Sequence, residues 1–228
     1  MIYVLSGFLF GLLIPYMARR FAKFMPATMA GALYWLVKPR RLVSKQKRQN
    51  NGKYQRLMHK YVMRSIGWGV ICAALTFAVH LCFSSVFLVA LVWFLLLLYE
   101  IDERMFLLPD ILTVPLLIMG FLYAATLQAE PYALYAPAFD SALGAAAGYA
   151  LPVVASLFMV KRHPDAFGGG DIKLLSASGA WVGFTNVPIL LLLSCFVFGA
   201  FCLIKHERSG AFGPAIVIST LVLAFFAI

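Results

Sequence analysis

Acidic side chains are scarce in this chain: nine of its 228 residues are Asp or Glu, and none precedes Glu100. Charge of either sign is thin, at 12% of residues against 63% hydrophobic, and the mean hydropathy is +0.89. So little polar surface cannot cover a water-soluble domain, which excludes one. The four cysteines, Cys72, Cys82, Cys195 and Cys202, fall within apolar runs and form no Cys-x-x-Cys. That argues against a metal site or a disulfide framework and leaves small apolar packing as the expected role of each. Nor is a secretory signal expected from the first stretch. "MIYVLSGFLFGLLIPYMARR" carries its charges after the apolar run and lacks a small-residue cleavage pattern, so it reads as a retained first span. No long internal repeat is apparent, and nothing resembles the paired halves of a transporter.

What the chain does have is apolar runs, at about 2–18, 65–83, 85–101, 111–128, 141–160, 172–186, 187–204 and 212–228. They predict an all-α, polytopic membrane protein with about eight transmembrane helices. The sixth is short: about 15 residues at ~1.5 Å each rise only ~22 Å, against a hydrocarbon core of ~30 Å. Its neighbours must shield it, or it opens onto water.

Basic residues set the orientation. Thirteen of the nineteen Lys and Arg lie between Arg19 and Arg64, so this loop is expected in the cytoplasm and the N-terminus outside. Alternating spans then put Arg104, Lys161, Arg162, Lys173, Lys205 and Arg208 on the cytoplasmic side. "AEPYALYAPAFD", with Glu130 and Asp140, falls outside. The net charge of +10 is read as attraction to anionic lipid headgroups, with no nucleic-acid partner. Residues 1–64 are taken as the first span plus a basic cytoplasmic loop, and residues 65–228 as the membrane core. Within the loop, "PATMAGALYWLV" is too short to cross and is expected at the interface, while "KPRRLVSKQKRQNNGKYQR" reads as a solvated loop with a turn at Asn51-Gly52.

Carboxylates at the membrane edge are costly to desolvate, which makes each a functional candidate. Glu100, Asp102, Glu103, Asp110 and Asp171 all belong to the cytoplasmic edge. Glu100 and Asp102 are about 200° apart around a helix, so they cannot enter one cavity. Glu103 is expected to be solvated. Asp110, after Pro109, suits a helix cap better than chemistry. Asp171 follows Gly168, Gly169 and Gly170, which make positive φ available and permit close approach of another chain. An isolated run of this kind reads as a loop with Asp171 as its cap. The weighting changes because Asp102 lies at the same edge and because Asp171 opens the short span with its small residues Ser176, Ser178, Gly179 and Gly183. Two carboxylates in one site share a proton, and the pair can do the acid and base work of amide hydrolysis without metal, nucleophile or cofactor.

At these residues the chain resembles the type IV prepilin peptidases, membrane aspartyl proteases with a Gly-x-Gly-Asp signature. "FGGGDIKLLSASGAWVG" is similar to the family's second aspartate motif and "IDERMFLLPDILTVPLL" to its first, in which the Asp is followed eight residues later by that of a Pro-Asp and then by Leu-Thr-x-Pro-Leu-Leu. "FGPAI", residues 212–216, is similar to a third. The likeness covers residues 99–220 and is loose for "GFLFGLLIPYMARRFAKFMP". It implies Asp102 and Asp171 as the catalytic pair, Gly168 and Gly170 as shaping the second motif, Asp110 in a supporting place and Lys173 beside the site.

The resemblance further implies removal of the short basic leader from type IV prepilins or type II secretion pseudopilins, after a Gly, at the cytoplasmic face of the bacterial inner membrane. Leader peptides and membrane lipids are the expected partners. Many members also methylate the new N-terminus with S-adenosylmethionine and carry paired Cys-x-x-Cys motifs resembling a zinc site in the first cytoplasmic loop. That loop has no cysteine here, so zinc is not expected, and S-adenosylmethionine only if methyl transfer is retained. The alternatives are an ion-coupled transporter and a non-catalytic assembly component. Elsewhere, His80 is expected to hydrogen-bond within its span, His163 to serve a turn, Gly144 and Gly148 to pack helices closely, Pro152 to kink its span, and Tyr99 and Trp181 to anchor at the interface.

Overall fold

A computed structural model describes residues 2–24, 52–83, 85–127, 137–159, 168–206 and 210–227. Eight α-helices occur among them: α1 (Ile2–Phe24), α2 (Gly52–Phe83), α3 (Val86–Met105), α4 (Asp110–Thr126), α5 (Pro137–Met159), α6 (Gly169–Val182), α7 (Val187–Lys205) and α8 (Gly213–Ala227). Each predicted apolar run falls on one of them. The fold is all-helical, and four segments are long and apolar enough to cross a membrane: Tyr3–Phe21, Arg56–Phe83, Pro137–Leu157 and Phe184–Lys205. The chain is a multi-pass membrane protein.

The largest departure from the sequence reading is at α2, which starts at Gly52 and runs for 32 residues, so the expected solvated loop and its turn do not extend past that point. Residues 53–64 contain neither Pro nor Gly and are rich in Lys, Gln, Arg, Leu and Met, good helix formers that carry the helix back from its apolar half into a polar one. The interfacial stretch at 26–37, Pro-flanked residues 129–136 and His163 lie outside the described residues.

The chain divides into two compact units, Met1–Glu100 and Ile101–Ile228. In the first, α1 packs along α2: a Cβ added at Gly7 would stand 2.7 Å from Thr76 Oγ1. Trp93 Nε1 donates to the same Thr76 oxygen at 3.1 Å while its ring stacks on Phe10 at 4.6 Å. His80 stacks on Tyr3 at 4.0 Å. Cys72 is buried as expected, but Cys82 and Cys195 are exposed, so apolar packing against protein does not account for those two.

In the second unit α6 is the centre. Its 14 residues rise about 21 Å, and all of Leu174–Val182 is buried against α4, α5 and α8. The predicted close packing is present. A Cβ at Gly144 would stand 3.0 Å from the Gly179 carbonyl carbon, and one at Gly148 would stand 3.0 Å from that of Leu175. Hydroxyls tie the same seams, Ser141 Oγ donating to the Ala180 carbonyl at 2.7 Å, Ser176 Oγ to that of Ala145 at 2.9 Å and Thr220 Oγ1 to Ser178 Oγ at 2.9 Å. Trp181 is no interfacial anchor. It is 4% exposed, donates to the Leu116 carbonyl at 2.9 Å and stacks on Tyr123 at 5.4 Å.

Candidate active site

The ends of the second unit differ in their charges. At one end α6 finishes at Gly183, whose φ of +78° suits glycine, and Asp140 at the start of α5 accepts from the Phe184 N–H at 3.2 Å. The other end gathers the C-terminal turn of α3 and the starts of α4, α6 and α8, and with them Asp102, Asp110 and Asp171.

Asp102, in the last turn of α3 beyond the apolar run, is 3% exposed, and its Oδ2 accepts from the Gly213 N–H at 2.9 Å. Burial raises its carboxyl from the ordinary value of 3.8 to about 6, against the lowering effect of that N–H. Asp171 is half-buried in the first turn of α6, ahead of the short apolar run. Burial raises it to about 7, the charge of Asp102 adds to the rise, and the Gly168 N–H opposes it. The two carboxyls therefore lie within electrostatic reach of each other. Among the described residues neither forms an ion pair.

Asp171 is not the helix cap. Gly168 occupies that position, and Asp171, three residues on, reaches back to its N–H in the manner of a capping box. The three glycines also act differently from expectation: Gly168 has φ −65° and ψ 138°, so positive φ is not used there. Close approach is what they provide. A Cβ at Gly170 would stand 3.0 Å from Leu108 Cβ, and one at Gly168 would stand 3.0 Å from Asp171 Oδ2, whereas one at Gly169 would meet nothing within 4 Å. The first and third glycines are the constrained ones, which is the spacing of the Gly-x-Gly-Asp signature.

Asp110 does not cap α4. Pro109 is the cap residue, without a side-chain bond, and both Asp110 oxygens accept from Lys173 Nζ at 2.7 Å, across the starts of α4 and α6. The pair is exposed. Glu103 is not simply solvated, since Lys205 stands 3.7 Å away.

Glu100 belongs to the first unit and is 0% exposed. Its Oε2 accepts from Arg64 Nη2 at 2.8 Å, Arg64 Nε at 3.2 Å and Trp68 Nε1 at 2.9 Å, while Trp68 meets the Tyr99 ring edge-on at 5.3 Å. Tyr99 thus contributes to a packed cluster. Sequence reasoning separated Glu100 from Asp102 by their angle on the helix but did not find Arg64 and Trp68. It also flagged residues 212–216 without finding that Gly213 touches Asp102. The only available signal was the motif match itself.

Among the described residues no three His, Cys, Asp or Glu groups converge in a way that could hold a metal ion. With no cysteine in residues 19–64, the donors for a zinc site of the kind the resemblance implies are not there.

Comparison with known proteins gives the ancestry. Residues 89–204 match the model of the type IV leader peptidase family, just over half of the chain. A prepilin leader peptidase/N-methyltransferase of Aeromonas salmonicida is 37% identical over 163 residues, 67% of this chain and 48% of that protein. One of Xanthomonas campestris is 34% identical over 175 residues, 73% of this chain and 59% of that protein, and one of Pseudomonas aeruginosa is 36% identical over 137 residues, 57% and 45%. The chain spans about half the length of the curated relatives it matches. No solved structure matches it. On the family match, which covers both aspartate motifs, the chain belongs to the type IV leader peptidase family.

Proposed function

We propose that the chain is a membrane aspartyl endopeptidase that removes the short basic leader from type IV prepilins or type II secretion pseudopilins, cutting after a Gly. Asp102 and Asp171 are its catalytic carboxylates. The protein sits in the bacterial inner membrane with its N-terminus outside and this pair at the cytoplasmic rim. One observation carries the reading: two desolvated carboxyls at one end of a helical unit, raised to about 6 and about 7, with the charge of one acting on the other. Gly168 and Gly170 shape the approach of Asp171, and the Asp110–Lys173 pair ties the starts of α4 and α6 beside it.

Near neutral pH such a pair holds a single proton. The ionised carboxylate takes a proton from water as the water oxygen bonds to the scissile carbonyl carbon. The protonated one donates to the carbonyl oxygen. Collapse of the tetrahedral adduct breaks the C–N bond: the departing amine takes up the proton gained from water, and a hydroxyl of the adduct returns its proton to the other carboxylate, which restores the singly protonated pair. Orientation brings the substrate to the same rim, because a leader bearing Lys or Arg stays in the cytoplasm. Proteolysis by this pair uses no cofactor and no zinc. S-adenosylmethionine enters only where methyl transfer accompanies cleavage.

Co-expression with a prepilin-like substrate, followed by mass spectrometry of the substrate's N-terminus, tests this. The chain is expected to expose the residue after the Gly, and Asp102→Asn and Asp171→Asn each to reduce processing by about 10³-fold or more. Full processing by both variants would overturn the assignment. The same spectrum reads the mass of an added methyl group.

A further inference from the structure

Residues 212–216, Phe-Gly-Pro-Ala-Ile, match a family motif yet contain neither acid, and their place in the fold accounts for them. The first N–H groups of α8 can be followed one by one. Gly213 donates to Asp102 Oδ2 at 2.9 Å. Pro214 has no N–H to give. Ala215 and Ile216 both donate to the Phe212 carbonyl, at 3.0 and 3.2 Å. The donor that points away from the helix is therefore the one at Gly213, and a carboxylate 111 residues earlier in the chain takes it.

Only glycine permits this contact. A Cβ at position 213 would invade the space of Oδ2 and stand 2.8 Å from Asp102 Cγ. The positive end of the α8 dipole also faces the carboxylate there, in a buried setting where such a field is least screened. Asp171 is placed differently. It bonds within its own helix start, is half-buried and bears the repulsion of Asp102. Among the described residues, the remaining charged or titratable groups at this end of the unit are Glu103 with Lys205, Arg104, His206, and Asp110 with Lys173; α8 itself has none.

We infer that Gly213 is a positioning residue for the acid pair: its backbone N–H and missing side chain hold the Asp102 carboxylate against the start of α8. This makes Asp102 the member that carries the negative charge and acts as base, and Asp171 the member that carries the proton. The inference rests on the peptidase reading for its catalytic meaning and on the Gly213–Asp102 contact for its geometry.

The test is the pH profile of Gly213→Ala on a prepilin-like peptide. The added Cβ displaces the carboxylate from this N–H, which is expected to lower kcat about tenfold or more, to leave KM within about twofold, and to move the acidic limb up by about one pH unit. Gly210→Ala, whose Cβ would meet only an ordinary contact at 3.8 Å, is the matched control and should keep the wild-type profile. A lower rate with the acidic limb in place would mark a merely structural role and overturn the inference. Should Gly213→Ala fail to insert, the wild-type protein still decides it. Carboxyl ¹³C resonances in detergent, assigned with the two Asn variants, are expected to show Asp102 ionising below Asp171, and the reverse order overturns the inference. That titration reads the pair even if no prepilin peptide is cut, so failure of the peptidase reading and failure of this one are distinguishable.

Discussion

Glu100 and Asp102 stand two residues apart on α3, 0% and 3% exposed, yet their surroundings answer them differently. Glu100 receives a guanidinium at 2.8 Å and an indole N–H at 2.9 Å. Among the described residues, Asp102 receives a single backbone N–H and no cation. The first arrangement is a tie between helices, because moving the carboxylate would strand a cation and a donor. The second leaves an acid that can give or take a proton without breaking an ion pair. Burial alone does not mark a catalytic acid; burial without a counter-charge does so better.

The sharpest way to break this contrast is to remove each acid and compare stability with turnover. Losing one partner of a buried pair costs about 3–5 kcal/mol. Because the Arg64 side chain is 42% exposed and regains water, Glu100→Ala should cost about 2 kcal/mol, with cleavage per folded molecule within about threefold of wild type. Asp102→Asn should do the opposite: cleavage lost, and at pH 8 a Tm raised by about 2–4 °C, as expected for removing roughly 1 kcal/mol of buried-charge cost. Thermal unfolding in detergent beside a cleavage assay measures both. A Glu100→Ala protein as stable as wild type would dissolve the distinction.

Changing pH probes the same acids without mutation. Both titrate above the ordinary 3.8, so the folded state holds protons that the unfolded state releases between about pH 4 and the folded values of about 6 and about 7. Their stabilising contribution is complete below the ordinary value and is lost as pH rises through this window. Turnover should peak where the pair holds one proton and fall by about tenfold per pH unit on either side. A Tm that climbs between pH 5 and 8 by way of these two groups, judged against the Asn variants, would contradict the assignment.

Smaller effects separate the glycines and the exposed ion pair. Gly170→Ala crowds Leu108 and should slow cleavage severalfold, whereas Gly169→Ala enters open space and should leave the rate unchanged. Equal losses at both positions would mean that chain flexibility, not close approach, is what the glycines supply. Smallest of all, Lys173→Gln should change unfolding by no more than about 1 kcal/mol, since exposed pairs are worth little even at 2.7 Å.

Much of this was legible because membrane spans and acid motifs are local. Eight apolar runs became eight helices, and Gly144 with Gly148 marked a seam on one helix face that needs only its own spacing to be seen. What stayed hidden depends on partners far along the chain. Arg64 lies 36 residues from Glu100, Lys173 63 residues from Asp110, and Gly213 111 residues from Asp102. Asp110 after a Pro satisfies every local requirement of a cap, and only the arrival of α6 gives its carboxylate a cation. Trp181 near a span end carries the same local signature as an interfacial anchor, and only the packing of α4 buries it. The polar start of α2 was hidden for the converse reason. Hydropathy reports where lipid ends, whereas helix propensity decides where the helix does, and residues 53–64 continue the second past the first.

Because α6 is sheathed by its neighbours from Leu174 to Val182, acyl chains never grip it, and its short length creates no hydrophobic mismatch with the bilayer. Lipid thickness acts instead on longer outer helices of the same unit such as α7, with 19 residues and little of its surface buried. The depth of Asp171 is therefore fixed from within, like a ledge cut into a wall, and a thicker or thinner sheet of lipid can tilt the outer helices without raising or lowering it.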